Sequence, residues 1–245
     1  MKTKLFTIAM MVALLLAAIT RGQAQEYDGP CLPPTHGLDD HQSAFCGSTE
    51  TQTIALSSGW NWISTYIEVD DPVAMLDMLK ASLGENAMSI EGPEGMTENL
   101  GDGIWWGDLD EIGIISGTMY LILVEEDCEV NLTGMPVDPA MVEITINPGY
   151  NWIGFPGMEE VEVEVALEGF EAEDGDAIEG PEGMTEYLGD GMWWGDFDTF
   201  VPGQGYMYNS ASGEVKTLIF QTGGSKARVK AVSPNKTKNK EKPRP

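Results

Sequence analysis

One stretch of twenty residues occurs twice in this chain, and it constrains the fold more than any other feature. The copies, Ile90–Leu109 and Ile178–Phe197, differ only at Asn99/Tyr187, Ile104/Met192 and Leu109/Phe197. Chance does not produce such agreement, so the chain contains an internal duplication. Around the shared stretch we place repeat one at residues 54–134 and repeat two at residues 143–223, joined by a linker at residues 135–142.

The first 24 residues have the composition of an export signal. Lys2 and Lys4 precede an apolar run from Leu5 to about Ile19, and small residues precede a cleavage point after Ala24. The run is too short for a membrane span. We therefore expect a secreted or cell-surface protein that has lost this signal and has no transmembrane segment.

Charge is distributed unevenly along the chain. Residues 26–225 carry 39 of the 40 acids and only two bases, Lys80 and Lys216, for a net charge of 2 − 39 = −37. Residues 224–245 form a basic tail whose composition predicts disorder. The acidic body should repel nucleic acid and anionic lipid, so neither is expected as a partner. It should attract cations, and calcium is a possible ligand of its carboxylates.

Residues 25–53 form a leader that contains both histidines and two of the three cysteines. Cys31, His36, His41 and Cys46 are equally spaced. These residue types can bind zinc, although the spacing fits no common zinc motif. In an exported chain, a disulfide between Cys31 and Cys46 is the simpler interpretation. Cys128 then remains as a buried thiol or as a partner of one of the other two.

The repeats predict a mainly β (α+β) fold of two tandem, homologous small domains, each with about one short helix. Asp71 can cap a helix, Pro72 suits its first position, and Gly84 ends it. The homologous segment of repeat two, Val161–Val165, alternates like a strand, but homology predicts a helix there too. Three further strands are predicted at Thr118–Val124, Val130–Thr133 and Val215–Gln221.

Each repeat opens with an aromatic strand, Gly59–Ile63 or Gly149–Ile153. Residues i and i+2 of a strand share a face, so two aromatic side chains of each strand project together. The pairs are Trp60/Trp62 and Tyr150/Trp152. Because isoleucines continue the apolar segment, we expect these pairs in the core, with a ligand platform as the alternative.

The order of short motifs resembles tandem modules of secreted and outer-surface proteins of Gram-negative bacteria. The matching motifs are Gly59–Ile63, Trp106–Leu109, Gly149–Ile153, Trp194–Phe197 and Pro202–Met207. Repeat one departs from the pattern, since it lacks the Pro-Gly-x-Gly turn. The resemblance implies an extracellular accessory module with no established activity or ligand. It also implies that the shared tryptophans Trp106 and Trp194 belong to the core.

Most catalytic chemistry is excluded by the residue types of the repeats. They contain no histidine, a single cysteine, Cys128, and no hydrolase-elbow, zinc-protease or phosphate-loop motif. Paired carboxylates could hydrolyse glycosides. With so many acids, however, their proximity carries no information. We therefore expect a protein that is not an enzyme, and a carboxylate-dependent glycosidase remains the remote alternative.

The shared stretch predicts a binding site instead. Adjacent tryptophans in a strand face opposite sides. Because the resemblance implies that Trp106 and Trp194 belong to the core, we expect Trp105 and Trp193 on the surface. An exposed indole with nearby carboxylates can hold a sugar ring. The predicted ligand-binding residues are Trp105, Glu94, Glu98 and Asp102, and in repeat two Trp193, Glu182, Glu186 and Asp190. The alternatives are a calcium site, in a structural or matrix protein stabilised by cations, and a structural turn with solvated acids.

Overall fold

The computed structural model describes residues 48–222, which fold mainly into antiparallel strands with few short helices. This confirms the predicted mainly β class. In repeat one the elements are β1 Glu50–Leu56, β2 Gly59–Ile63, β3 Ile67–Glu68, α1 Pro72–Leu83, β4 Ala87–Gly92, β5 Gly95–Asn99, β6 Trp105–Trp106, α2 Leu109–Ile112, β7 Tyr120–Val124 and β8 Cys128–Pro136. A 3-10 turn at Gly84–Asn86 follows α1.

Repeat two has a similar set of elements after a 3-10 turn at Pro139–Met141 in the connection. They are β9 Ile144–Ile146, β10 Gly149–Gly154, β11 Val161–Glu162, α3 Val163–Ala166, β12 Ala177–Gly180, β13 Gly183–Tyr187, β14 Trp193–Gly195, β15 Thr199–Phe200, β16 Gly205–Ser210 and β17 Lys216–Leu218. The residues predicted as an export signal, most of the leader with Cys31 and Cys46, and the basic tail lie outside the described residues.

Each repeat contains one five-stranded antiparallel sheet. The strand order is β2-β7-β4-β5-β6 in repeat one and β10-β16-β12-β13-β14 in repeat two. The duplicated stretch supplies most of the last three strands of each order, because its turns fold the chain into two successive hairpins. A second pairing closes each repeat: β1 pairs with β8, and β9 pairs with β17. Since β1 begins at Glu50, the fold of repeat one starts inside the predicted leader.

Helix α1 follows its local signals. The carboxylate of Asp71 accepts a 3.0 Å hydrogen bond from the backbone N–H of Val73, Pro72 is the first helical residue, and Gly84 ends the helix at a positive φ of 58°. The buried face carries Met75, Leu76, Leu79 and Leu83. In repeat two the homologous segment forms the short strand β11 and then the single turn α3, so both local patterns contribute there.

Two hydrophobic clusters fill the interior, one in each repeat. The cluster of repeat one runs from Ile54 to Leu132, and that of repeat two from Ile144 to Phe220. The second is richer in aromatic rings: Phe155, Phe200 and Phe220 contact one another with ring centroids 5.0–5.5 Å apart. Each repeat thus buries its own apolar side chains.

The two repeats contact each other through equivalent residues. The Ser64 N–H donates to the Gly203 carbonyl at 2.9 Å, and the Gly154 N–H donates to the Gly117 carbonyl at 2.9 Å. Ser64 and Gly154 directly follow equivalent isoleucines in β2 and β10, and Gly117 and Gly203 occupy equivalent turns. Such reciprocal bonds are the signature of an approximate two-fold axis between the repeats.

Candidate binding face

The glycine after each tryptophan pair fixes how the last hairpin closes. A β-carbon added to Gly107 would overlap the carbonyl oxygen of Met96, and one added to Gly195 would overlap that of Met184. Strands β6 and β14 therefore lie against β5 and β13 only because these positions have no side chain. This is the physical reason for the Trp-Trp-Gly sequence in both copies.

The turn between β5 and β6 has an unusual backbone. Gly101, Asp102 and Gly103 have φ values of 87°, 54° and 73°, and Gly189, Asp190 and Gly191 repeat this conformation. Aspartate is among the few residues with a side chain that tolerate this region. Asp102 and Asp190 are thus explained by the turn, whether or not they bind a ligand.

The predicted exposure of the tryptophan pairs is wrong, because the inner and outer members are reversed. Trp193 is only 6% exposed and packs against Tyr187 and Tyr208. Trp105 is half-buried against the core of repeat one. Trp106, in contrast, is 71% exposed.

Cross-strand register explains the reversal. Trp106 pairs with Glu98 and Trp194 pairs with Glu186, and directly paired residues project from the same side of a sheet. The neighbouring Thr97 is fully buried, so Glu98 must point away from the core. Trp106 and Trp194 therefore belong to the outer side, where Trp194 is partly exposed.

The expectation that the aromatic pairs of β2 and β10 lie in the core is also wrong. Trp60 is 50% exposed and Tyr150 is 63% exposed, while Trp62 and Trp152 are partly exposed. The inward position is occupied by an asparagine that closes the preceding turn. Asn151 accepts a 2.7 Å hydrogen bond from the Asn147 N–H and donates at 2.8 Å to the Asn147 carbonyl. Asn61 does the same with Ser57.

These corrections bring aromatic residues from both edges of each sheet onto one outer surface, which we call the aromatic face. Successive cross-strand pairs define its main row. In repeat one the row is Trp60, Leu123, Ser89, Glu98 and Trp106. With strands about 4.8 Å apart, the row is roughly 19 Å long.

Repeat two has the same row in the same register. Its members are Tyr150, Asn209, Ala177, Glu186 and Trp194. A second row lies beside each main row and again combines aromatic, aliphatic and acidic side chains. Its members are Trp62, Leu121, Glu91 and Met96 in repeat one, and Trp152, Met207, Glu179 and Met184 in repeat two.

The predicted acidic residues are only partly brought together. Glu98 and Glu186 lie on the aromatic faces, each paired with an outer tryptophan. Glu94 and Glu182 lie in the turns before β5 and β13, whereas Asp102 and Asp190 lie in the turns after those strands. A five-residue strand separates these two turns by about 14 Å. The four predicted residues of a repeat are therefore spread along the hairpin instead of meeting at one point, and their role in binding stays a prediction.

An open depression of about 440 Å³ lies at one end of the aromatic face of repeat one. Its lining includes Glu85, Ser89, Glu98, Asn99, Leu123 and Glu125. A β-bulge at Met88 shifts the register between β4 and β7 next to it. The Glu85 carboxylate accepts a 2.8 Å hydrogen bond from the Gly103 N–H, which ties the depression to the turn after β5.

No cluster of three or more potential metal-ligating histidine, cysteine or acidic residues occurs within residues 48–222. Calcium binding therefore remains a prediction that rests on the charge of the chain. The alternative zinc and disulfide interpretations concern Cys31, His36, His41 and Cys46, which lie outside the described residues. Cys128 is half-buried and forms no disulfide within the described part of the chain.

Comparison with known proteins adds no assignment. No protein-family model matches the chain, and neither a curated protein nor a solved structure matches it. Between residues 48 and 222, no helix is long and apolar enough to cross a bilayer.

Proposed function

We propose that this protein is an exported, non-catalytic surface or extracellular binding module that holds glycans on its two aromatic faces. The observation that carries the proposal is the main row of repeat one, in which exposed Trp60 and Trp106 flank the outward Glu98. An indole offers a flat apolar surface to a sugar ring, and a carboxylate accepts hydrogen bonds from its hydroxyl groups. The same arrangement in repeat two supplies a second face.

The shape of the face supports a chain-like ligand. The row crosses all five strands and is open to solvent at both edge aromatics, Trp60 and Trp106. An enclosed pocket would be needed to bind a small ligand tightly. An open row of roughly 19 Å instead matches several linked sugar units, each adding modest affinity.

Two faces in one chain favour multivalent glycans. Once one face is bound, the second meets the same glycan surface at a high effective concentration. Export, predicted from residues 1–24, would place the faces where cell-surface or matrix glycans occur.

A glycan array tests the proposal with four full-chain proteins: wild type, Trp106→Ala, Trp194→Ala and the double variant. We expect each single variant to weaken binding and the double variant to abolish it. Met141→Ala is the matched control, because Met141 is an exposed apolar residue in the connection between the repeats. Binding that survives the double variant, or that is lost equally in the control, would refute the assignment.

A further inference from the structure

The aromatic faces carry negative charge at the same positions in both repeats. Glu98 lies in the main row beside the exposed Trp106, and Glu91 lies in the second row of the same sheet. In repeat two the matching carboxylates are those of Glu186 and Glu179. A glycan that stacks on the aromatic side chains of either face therefore lies against carboxylates.

Neither lysine of the described chain is placed to neutralise these carboxylates. The Lys80 Nζ lies 2.6 Å from an Asp110 carboxylate oxygen and 5.7 Å from the centre of the Trp105 ring. Trp105 is the inner member of its pair, so Lys80 is bound on the core side of the sheet. The Lys216 ammonium is bound to the Glu173 carboxylate at 2.7 Å. Residues 48–222 contain no other lysine, arginine or histidine, so within them neither face has a cationic partner for an acidic sugar.

The carboxylates also determine which groups of a sugar can bond to the faces. An ionised carboxylate only accepts hydrogen bonds, and the hydroxyl groups of an uncharged sugar donate them. A uronic acid or a sulfated sugar brings further acceptors and a like charge instead. Two like charges about 4 Å apart repel each other even near a protein surface. The faces therefore match uncharged sugars and oppose anionic ones.

The charge of the rest of the chain acts in the same direction over a longer range. The acidic body has 39 acids and two bases. At 0.01 M salt the Debye length is about 30 Å, so an anionic glycan is repelled before it reaches a face. At 1 M salt the Debye length is about 3 Å, and only carboxylates in contact with the glycan still act on it. Rejection of anionic glycans should therefore weaken as salt is added.

We propose that the two aromatic faces select uncharged glycans and reject glycans that carry carboxylate or sulfate groups. The aromatic side chains contact the sugar rings, while the carboxylates of the rows decide which glycans are accepted. The specificity-determining residues are Glu91 and Glu98 in repeat one, and Glu179 and Glu186 in repeat two. The inference rests on the proposed glycan function and names the class of ligand.

A glycan array that contains uncharged, uronic acid and sulfated glycans tests the inference with the full chain. We expect the bound glycans to be uncharged and their binding to be lost in the double variant Trp106→Ala/Trp194→Ala. Anionic glycans that bind equally well and are lost in the same variant would overturn this inference and leave the proposed glycan function standing. Absence of binding to any glycan would overturn both.

Matched probes measure the selection by calorimetric titration. The strongest uncharged glycan of the array is lightly carboxymethylated, and part of this product is converted to its methyl ester. The acid and the ester have nearly the same shape and differ in charge. We expect the acid to bind about ten-fold more weakly than the ester at 0.01 M salt, and the difference to shrink at 1 M salt. Equal affinities of acid and ester at low salt would overturn the inference.

Variants locate the selection. Glu98→Gln/Glu186→Gln removes one carboxylate from each face but keeps an acceptor oxygen there. The control, Glu129→Gln/Glu168→Gln, makes the same change in net charge at exposed residues outside the two faces. We expect only the first variant to reduce the preference for the ester several-fold, with binding of the unmodified glycan showing that both are folded. An equal effect of the two variants, or no effect of either, would overturn the assignment of the selection to the faces.

Discussion

The hydroxyl of Tyr208 donates a 2.6 Å hydrogen bond to the Oδ2 atom of Asp176, and both groups are fully buried in repeat two. Asp176 also accepts hydrogen bonds from the backbone N–H groups of Ala211 and Glu173, at 2.7 and 2.9 Å. Repeat one has the exposed Met88 in place of Asp176. Repeat two therefore has a buried carboxylate at a position where repeat one has none.

Alkaline pH should destabilise the protein through this pair. Burial first, and then the hydrogen bond and charge of Asp176, raise the pKa of Tyr208 above its ordinary value of 10.0. A pKa raised in the folded state means that the stabilisation is complete below pH 10 and is lost as pH rises above it. Urea unfolding at pH 8 to 11 should show an unfolding free energy that declines above pH 10. The decline of the unfolding free energy with pH should be shallower in Tyr208→Phe than in wild type, and the same as wild type in Tyr150→Phe. Equal declines in wild type and both variants would contradict this prediction.

Substitution of the glycine that follows the tryptophan pair should disrupt the last hairpin. Gly107→Ala places a methyl group into the backbone of β5, and Gly195→Ala does so in β13. We expect each to lower the unfolding free energy by roughly 1–3 kcal/mol, the usual cost of overpacking. Gly213→Ala is the control, because a β-carbon there meets no atom within 4 Å. A melting temperature lowered as much by Gly213→Ala as by the other two substitutions would count against this explanation.

The inner tryptophan of repeat two and the outer tryptophan of repeat one should lose different amounts of stability on truncation. Trp193→Ala leaves a cavity in the core and should cost about 3–5 kcal/mol of unfolding free energy. Trp106→Ala removes an exposed side chain and should cost no more than about 0.5 kcal/mol. Chemical denaturation of both variants measures this, and acrylamide quenching should fall more in Trp106→Ala. Similar stability losses in the two variants would contradict this assignment of faces.

Stability should rise with ionic strength. The acidic body carries 39 acids and two bases, and its self-repulsion is screened by salt. We expect the melting temperature to increase from low salt to about 0.15 M sodium chloride, where the Debye length is short. Calcium chloride at matched ionic strength should add a further increase if carboxylates bind it. Coincident melting curves in chelator and in millimolar calcium, at low ionic strength, would remove the calcium prediction.

Local signals were sufficient to predict some elements of the fold. Asp71, Pro72 and Gly84 define helix α1 because capping and termination depend on a few adjacent residues. The strand Gly59–Ile63 was also predicted with its observed bounds. The two five-stranded sheets share one strand order, which the sequence analysis did not specify.

The faces of the strands could not be predicted in the same way. Whether Trp105 or Trp106 points inward depends on which of them pairs with Glu98, and that register is set by the turn between β5 and β6, which the alternation of residue types does not specify. In β2, the hydrogen bonds of Asn61 to Ser57 place the polar Asn61 on the inward side of the strand, although its neighbours are more hydrophobic. The polar residue between two aromatics was a usable signal, because Asn at that position in both copies indicated a shared turn.

The depression was beyond local prediction for a similar reason. It is lined by residues of three separate segments, which include Glu85, Glu98 and Leu123, and it lies next to the bulge at Met88. The shared stretch is nearly identical in the two copies, so its sequence does not indicate that the residues around it differ.

The reciprocal bonds from Ser64 to Gly203 and from Gly154 to Gly117 bear on the history of the chain. Each repeat carries both a donor strand end and an acceptor turn, so a single repeat would be complementary to another copy of itself. The contact between the halves is therefore the kind that holds a homodimer together. Fusion of two such subunits would keep that contact within one polypeptide.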